Sequence, residues 1–181
     1  RRARRERGRR AVIDAMVDLI QVGHAPPTAQ EIADEAGVSV SSLFRYFDNL
    51  DDLRDETTAR VFARYAPLFE VPDIGVGSLD ERVEGFVAAR IALYDAMGPM
   101  SRFVRGRVVD HPELAPQVGR VRRQQVDQVG AHFAPELRAL GRAGRDDLVA
   151  TIASLTSFEA WDLSRSEMGR SSRQVRRAWT S

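Results

Sequence analysis

The sequence predicts an all-helical protein, and three observations lead to this fold class. Apolar residues recur every three or four positions along most of the chain, which is the spacing of an amphipathic helix. Glycine and proline fall between these periodic segments, where they end helices. No segment alternates β-branched and polar residues as a half-buried strand does. The hydrophobic fraction of 43% over 181 residues is typical of a globular chain with a substantial core.

The N-terminal third is predicted to contain four helices. Gly23 and the proline pair that begins at Pro26 end the first of them. Thr28 is expected to cap the second helix, because Glu31 follows three residues later and completes a capping box. Gly37 then separates the second helix from the third. The four predicted helices span residues 10–22, 28–36, 39–47 and 49–68.

The rest of the chain is predicted to form a second helical domain. Residues 70–78 hold three glycine or proline residues and are interpreted as a linker. The two domains are therefore expected at 1–69 and 78–181. A helix break is predicted at Gly98-Pro99. The predicted helices of the second domain span residues 79–97, a short stretch to 109, then 112–133, 146–168 and 172–181.

The stretch from Thr28 to Leu53 has the pattern of two short helices joined by a tight turn. Ile32 and Leu43 point toward a shared core, and Gly37 supplies the turn, where a side chain would be strained. The outward positions of the second helix are small or polar, with one arginine and one tyrosine. They are Val40, Ser41, Ser42, Arg45 and Tyr46. Such a face suits insertion into the major groove of DNA.

This helix pair resembles the N-terminal domain of TetR-family regulators. The resemblance covers about residues 7–68 and rests on core and turn positions. These are Ile32-Ala33, Ala36-Gly37-Val38-Ser39, Leu43-Phe44-Arg45-Tyr46-Phe47 and Leu53. Residues 155–162, followed by Gly169-Arg170-Ser171, are similar to the dimerisation helices of that family. The resemblance implies a three-helix DNA-binding domain with a helix-turn-helix, joined to a helical bundle for dimerisation and ligand binding.

The resemblance also implies which residues contact DNA. Those at positions where the family contacts bases or their neighbouring backbone are Gln30, Val40, Ser41 and Arg45. Those at positions where it usually contacts phosphates are Thr28, Ser42 and Tyr46. Two positions depart from the family, since Phe44 replaces a phosphate-binding tyrosine and Leu50 replaces a lysine at the start of the fourth helix.

Basic charge is concentrated at the start of the chain. Residues 1–10 hold seven arginines and one glutamate, a net charge of +6, whereas residues 11–70 hold four arginines and eleven acidic residues, a net charge of −7. We expect residues 1–10 to form a flexible arm that either contacts DNA phosphates or is a solvated tail. Contacts from this arm would offset the two departures.

The function implied by the resemblance is that of a cytoplasmic, ligand-responsive repressor that binds a palindromic operator in double-stranded DNA as a homodimer. The dimer is expected to form through helices 146–168 and 172–181. Residues 148–158 carry no charge, and their apolar side chains are not confined to one face, so a partner copy is expected to cover the second face. Trp161 and Val175 are the apolar residues expected first in this interface.

A ligand pocket is predicted in the second domain. Arg90 and Gln125 interrupt apolar helical stripes, and a polar group on such a face needs a partner, which a ligand could supply. Aromatic and methionine side chains on the same helices could line a cavity or form ordinary core. The predicted pocket residues are Phe86, Arg90, Tyr94, Met97, Phe103, Gln125, Phe158 and Trp161.

Several other classes of protein are disfavoured. The chain has no cysteine, which excludes disulfides, thiolate catalysis and cysteine-ligated zinc. Its three histidines, His24, His111 and His132, match no metal-ligand spacing, and no nucleophile elbow or phosphate-binding loop occurs. We therefore predict no enzyme activity, no metal and no cofactor. No segment is long and apolar enough to predict a membrane helix.

Two alternatives stay open at this point. One is a DNA-binding dimer that has no small-molecule ligand. The other is a helical ligand carrier or enzyme that has lost DNA binding, which the pair Phe44 and Leu50 favours.

Overall fold

The computed structural model describes residues 2–23 and 26–181, and every regular element within them is helical. The predicted all-helical fold class is confirmed. The chain divides into two compact units. The first consists of Arg1–Ala66 together with Pro99–Val109, and the second of Pro67–Gly98 together with Asp110–Ser181. Among the described residues, no helix combines the length and apolar character needed to cross a membrane.

Four helices build the first unit: α1 (Arg2–Val22), α2 (Ala29–Glu35), α3 (Val40–Tyr46) and α4 (Leu50–Arg64). Helix α1 packs against each of the other three. Its apolar stripe is buried at helical spacing, as the sequence predicts. The core side chains of the unit include Val12, Ile13, Met16, Ile32, Leu43, Phe47 and Leu53.

Local signals begin and end these helices as predicted. The capping box at Thr28 is confirmed, because its hydroxyl accepts from the backbone N–H of Glu31 and the Glu31 carboxylate accepts from the backbone N–H of Thr28. Ser39 and Asn49 cap α3 and α4 with their side chains, which accept from the backbone N–H groups of Ser42 and Asp52. Gly37 has a φ of 65°, the left-handed conformation that the turn between α2 and α3 requires.

The prediction that the arginine-rich residues at the start of the chain form a flexible arm is wrong, because α1 begins at Arg2 and runs through them without a break. Arginine is a good helix former, so these residues favour the helical conformation. Contacts with the rest of the unit add to this preference. Arg9 pairs with the Glu56 carboxylate, and its guanidinium lies 4.9 Å from the centre of the Phe47 ring.

Helix α5 (Leu79–Arg107) continues through Pro99, where a break was predicted. A proline removes one hydrogen bond from a helix, but the buried side chains of Met97, Met100 and Val104 hold the helix on both sides of this position. Pro99–Val109 belong to the first unit, whereas the sequence predicted these residues in the second domain. Within the first unit, Arg107 pairs with Asp51 and Asp55 of α4.

The second unit also contains α6 (Ala115–His132), α7 (Ala134–Leu137), α8 (Arg142–Leu155), α9 (Phe158–Asp162) and α10 (Ser172–Trp179). A 3-10 turn (Pro112–Leu114) precedes α6, and a π-helical turn (Leu163–Glu167) follows α9. The buried cluster is formed by Val71, Phe86, Val129, Phe133 and Leu137. Ser171 caps α10 in another capping box.

Two sequence predictions for this unit are wrong. The segment 70–78 is not a free linker, because Val71 is buried in the core cluster and the backbone N–H of Gly75 donates to Nδ1 of His132. The predicted helix 146–168 is interrupted between α8 and α9. There, Thr156 turns its hydroxyl back to the carbonyl of Ile152, and Ser157 caps the next helix.

Candidate nucleic-acid interface

The outward face of α3 is set by two anchors in the core of the first unit. Leu43 and Phe47 are buried, so the other side chains of the helix point away from the core. Three of these side chains are exposed and three are half-buried. The exposed ones are Ser41, Phe44 and Arg45, and the half-buried ones are Val40, Ser42 and Tyr46. The helix thus presents a short ridge of hydroxyls with one guanidinium.

Hydrogen bonds between side chains order this ridge. The hydroxyl of Ser39 lies 3.0 Å from that of Ser41 and donates to that of Ser42 over 3.0 Å. The Nη2 atom of Arg45 donates to the Ser42 hydroxyl over 3.2 Å. All of these groups reach solvent, so they can exchange these bonds for bonds to a nucleic acid.

Thr28, the N-cap of α2, and Gln30 on α2 are exposed. The Thr28 side chain takes part in the capping box, and Nε2 of Gln30 donates to Oδ1 of Asp34 over 2.8 Å. The seven residues predicted to contact DNA are therefore all unburied residues of the first unit, and they lie on α2, its cap and α3.

Phe44 and Leu50, the two residues that depart from the family pattern, differ in exposure. The ring of Phe44 is 44% exposed on α3, so an apolar ring stands where a hydroxyl was expected to meet a phosphate. Leu50 is half-buried as the first residue of α4. Neither side chain offers a donor to a phosphate.

Two arginines beside α3 extend this surface, and sequence reasoning did not place them there. Arg4 and Arg5 line a concavity of about 890 Å³ together with the turn and one edge of α3. The lining residues from these parts are Gly37, Val38, Ser39, Ser42, Arg45 and Tyr46. A signal for this placement exists in the sequence, since Arg5, Arg9, Val12 and Met16 follow one another at helical spacing on one face of α1.

The profile of a known family matches this part of the chain. It is described as bacterial regulatory proteins of the tetR family, and the match covers residues 13–57. These residues include the end of α1, the two short helices with their turn, and the start of α4. The match identifies this domain as one of the TetR-family type.

Relatives of known sequence match part of the chain. The chain is 37% identical over 67 residues to uncharacterized HTH-type transcriptional regulators of Mycobacterium tuberculosis and Mycobacterium bovis. The aligned segment is 36% of this chain and 34% of those proteins. The chain therefore matches about a third of the length of these relatives.

Solved structures are similar over nearly the full chain. A transcriptional regulator from Rhodococcus sp. Rha1 aligns with a TM-score of 0.66 and 18% identity, covering 97% of this chain and 91% of that one. A protein from Mesorhizobium loti, assigned to the TetR-family transcriptional regulators, aligns with a TM-score of 0.56 and 15% identity over 98% and 93%. At these identities, the comparison shows a shared fold.

The predicted pocket residues are spread over several places. Phe86 belongs to the core cluster of the second unit, where its ring centre is 5.4 Å from that of Phe133. Tyr94, Phe158 and Trp161 form an aromatic cluster with ring centres 5.6–6.0 Å apart. Phe103 is half-buried in the first unit. Met97 is buried on α5.

Arg90 is 2% exposed and finds neutral partners. Its Nη1 donates to the side-chain oxygen of Gln128 over 2.8 Å, and its Nη2 donates to the backbone carbonyl of Gln125 over 3.0 Å. The guanidinium also lies over the ring of Phe86, 4.6 Å from its centre. Burial lowers the pKa of Arg90 from its ordinary value, because removal from water disfavours the charged form.

A groove of about 830 Å³ lies between α6 and α8. Of the eight predicted pocket residues, Gln125 lines it. Its apolar wall comes from residues of both helices and α7. These include Val126, Gly130, Leu137, Val149, Ala150 and Ala153. Arginine and acidic side chains border the groove, namely Arg122, Arg138, Arg145, Asp146 and Glu159.

The apolar surface of the predicted dimer helices differs from the expectation. Trp161 and Val175 are buried within the chain, because Trp161 packs in the aromatic cluster and Val175 lies on the inner face of α10. They are therefore not free for a partner. Leu148 and Leu155 of α8 are exposed instead, to 37% and 61%.

His132 has both ring nitrogens engaged. Because a backbone N–H can only donate, Nδ1 accepts the bond from Gly75, and Nε2–H then donates to the carbonyl of Arg82 over 2.9 Å. Among the described residues, no group of three or more histidine, aspartate and glutamate side chains is arranged to hold a metal ion. His24 lies outside the described residues.

Proposed function

We propose that this chain is a TetR-family transcriptional repressor that binds a palindromic operator in double-stranded DNA as a homodimer. The observation that carries the proposal is the outward face of α3. Buried Leu43 and Phe47 fix the helix, and its hydroxyls and the Arg45 guanidinium are left at the surface. A helix of this kind, held by a preceding short helix, is the element that helix-turn-helix proteins insert into the major groove.

The dimer is proposed through α8. None of its residues is buried within the chain, and Leu148 and Leu155, seven residues apart, lie on one face. An exposed apolar face on a helix marks an interaction surface. A second copy is the partner that suits an operator-binding protein, because a two-fold axis between the copies matches two half-sites related by the same symmetry.

The groove between α6 and α8 is the site that we propose for a small-molecule effector. Its volume of about 830 Å³ lies in the range of small-molecule sites, and it has an apolar wall with polar groups at its border. Val149, Ala150 and Ala153 of α8 line it, whereas Leu148 and Leu155 lie on a different face of that helix. The effector site and the dimer surface can thus coexist on one helix.

Binding to DNA from upstream of the gene tests the central proposal. Fluorescence anisotropy at several salt concentrations should give an affinity for one upstream duplex at least about 1,000-fold above that for random duplex. Equal affinity for both duplexes would show that the chain binds DNA without sequence specificity. If the chain bound neither duplex, the alternative of a ligand carrier that has lost DNA binding would be favoured. The exposed Phe44 ring supports that alternative.

A thermal-shift screen separates the ligand-responsive repressor from a dimer without a ligand. A compound that binds the folded chain raises its melting temperature by mass action. An effector must also change DNA affinity, since a ligand shifts a conformational equilibrium only when it binds the two states unequally. We expect Ala153→Trp, which fills the groove, to remove the thermal shift and to leave operator binding intact.

A further inference from the structure

We propose that Arg4 and Arg5 of α1, together with the hydroxyls of Ser39 and Ser42, form a preformed seat for a phosphate of the DNA backbone. This inference rests on the proposed DNA binding and adds a contact site to it. The seat is the concavity beside α3, and the described residues that line it include three arginines and no carboxylate. Its positive charge and its hydroxyl donors both suit a phosphate oxygen.

The start of α1 is held against α3 by close packing. A Cβ atom added at Gly8 would lie 2.3 Å from the hydroxyl oxygen of Tyr46 and 2.6 Å from Cζ of the same ring. The tyrosine ring therefore rests directly on the α1 backbone, in space that only a glycine leaves open. This contact fixes the distance between α1 and α3.

Polar contacts on both sides of Gly8 add to this packing. On one side, Nη2 of Arg5 donates to the backbone carbonyl of Arg45 over 3.3 Å. On the other side, Arg9 pairs with the Glu56 carboxylate, and its guanidinium lies over the Phe47 ring. The arginines of the seat thus extend from a helix that is already ordered, so phosphate binding would fix only their side chains.

The same helix carries a matched set of arginines outside the seat. Arg7 and Arg10 are exposed and do not line the concavity. At 100° per residue, Arg7 and Arg10 lie about 160° and 140° around α1 from Arg5, although Arg7 lies about 60° from Arg4. Removal of either pair takes two positive charges from the same helix, but only Arg4 and Arg5 line the concavity.

The experiment compares the double variants Arg4→Gln/Arg5→Gln and Arg7→Gln/Arg10→Gln with the unaltered chain. The readout is the slope of log affinity against log salt concentration on an operator duplex. Each phosphate contact contributes about 0.9 to this slope. We expect the first variant to lose about 0.9 or more of slope and the second to keep the slope of the unaltered chain within error.

Gly8→Leu gives a second test that keeps every arginine. The leucine would push Tyr46 away, so we expect the same loss of slope, with unchanged helix content by circular dichroism. Equal slopes for the two double arginine variants, or a Gly8→Leu slope equal to that of the unaltered chain, would contradict the proposed phosphate seat. Neither result would contradict DNA binding itself. If the unaltered chain bound no duplex at all, the proposed function would fail and the seat with it.

Discussion

Arg90 on α5 and Gln128 on α6 are joined by a buried hydrogen bond of 2.8 Å from Nη1 to Oε1. The amide of Gln128 also donates over 2.7 Å to the backbone carbonyl of Phe69, so the pair connects three segments of the second unit. The Arg90 guanidinium has no carboxylate partner among the described residues, so it depends on these neutral acceptors, because an unsatisfied buried charge is far more unfavourable than an unsatisfied neutral group.

The first prediction concerns this pair. Gln128→Met removes the acceptor from a buried cation and should lower the free energy of unfolding by about 1–3 kcal/mol. Arg90→Met should also lower the free energy of unfolding, because it leaves the side-chain oxygen of Gln128 and the backbone carbonyl of Gln125 without the donors that Arg90 supplies. The double variant should lose less than the sum of the two, by about 0.5–3 kcal/mol, because residues in direct contact are not additive. Urea unfolding measures all three, and strict additivity would contradict the coupling.

Sequence reasoning recognised that Arg90 needs a partner but could not identify it. The helical stripe shows which face of α5 the arginine occupies, and this information is local. The partner depends on how α5 and α6 are aligned, which a single sequence does not encode in any short pattern. Gln125 was expected to share the site through its side chain, whereas its backbone carbonyl contacts Arg90 and Gln128 supplies the side-chain acceptor.

The second prediction concerns acid sensitivity of the capping box. Hydrogen bonds from the backbone and hydroxyl of Thr28 hold the pKa of Glu31 below its ordinary value of 4.5. A lowered folded-state pKa gives stabilisation that is present above 4.5 and is lost as the pH falls through the folded pKa. Glu31→Gln should therefore be less stable than the unaltered chain at pH 7, and this difference should shrink below pH 4.5.

Glu81 provides the matched comparison in the second unit, because Ser78 lowers its pKa in the same way. Glu81→Gln should show the same pH profile in urea unfolding. A stability difference that stays constant between pH 7 and pH 3 would assign the effect to the amide substitution and not to the charge.

Local signals of this kind were the ones that the sequence predicted correctly. Thr28 with Glu31 and Gly37 all act within a few residues, so their roles can be identified without the rest of the fold. The predictions that failed depend on distant residues. The break expected at Pro99 and the free arm before Arg10 were both replaced by helix, where buried side chains on α5 and the Arg9–Glu56 pair favour continuity.

The third prediction concerns Arg45. If its guanidinium leaves the Ser42 hydroxyl to bond a guanine edge, Arg45→Ala should reduce operator affinity by about 1–3 kcal/mol and relax specificity at one base pair. Arg64→Ala, at the end of α4, serves as the control for loss of one charge from the same unit. Competition binding against a duplex library measures both effects. An equal loss on operator and random duplex would assign Arg45 to phosphate contact.

The fourth prediction concerns Leu155 and the proposed dimer. Leucine 155 is 61% exposed, so Leu155→Arg removes little packing within the chain and should change the free energy of unfolding of the monomer by less than about 0.5 kcal/mol. In a dimer through α8, the same substitution would bury two unpaired charges near the two-fold axis. We therefore expect the unaltered chain to sediment as a dimer at micromolar concentration and Leu155→Arg to sediment as a monomer.

Specific DNA binding should be lost with the dimer, although α3 is unchanged, because one copy of α3 alone reads only half of a palindrome. Val109→Arg places the same charge on an exposed apolar position of the first unit and should leave both properties intact. A dimer that survives Leu155→Arg would place the interface elsewhere on the chain.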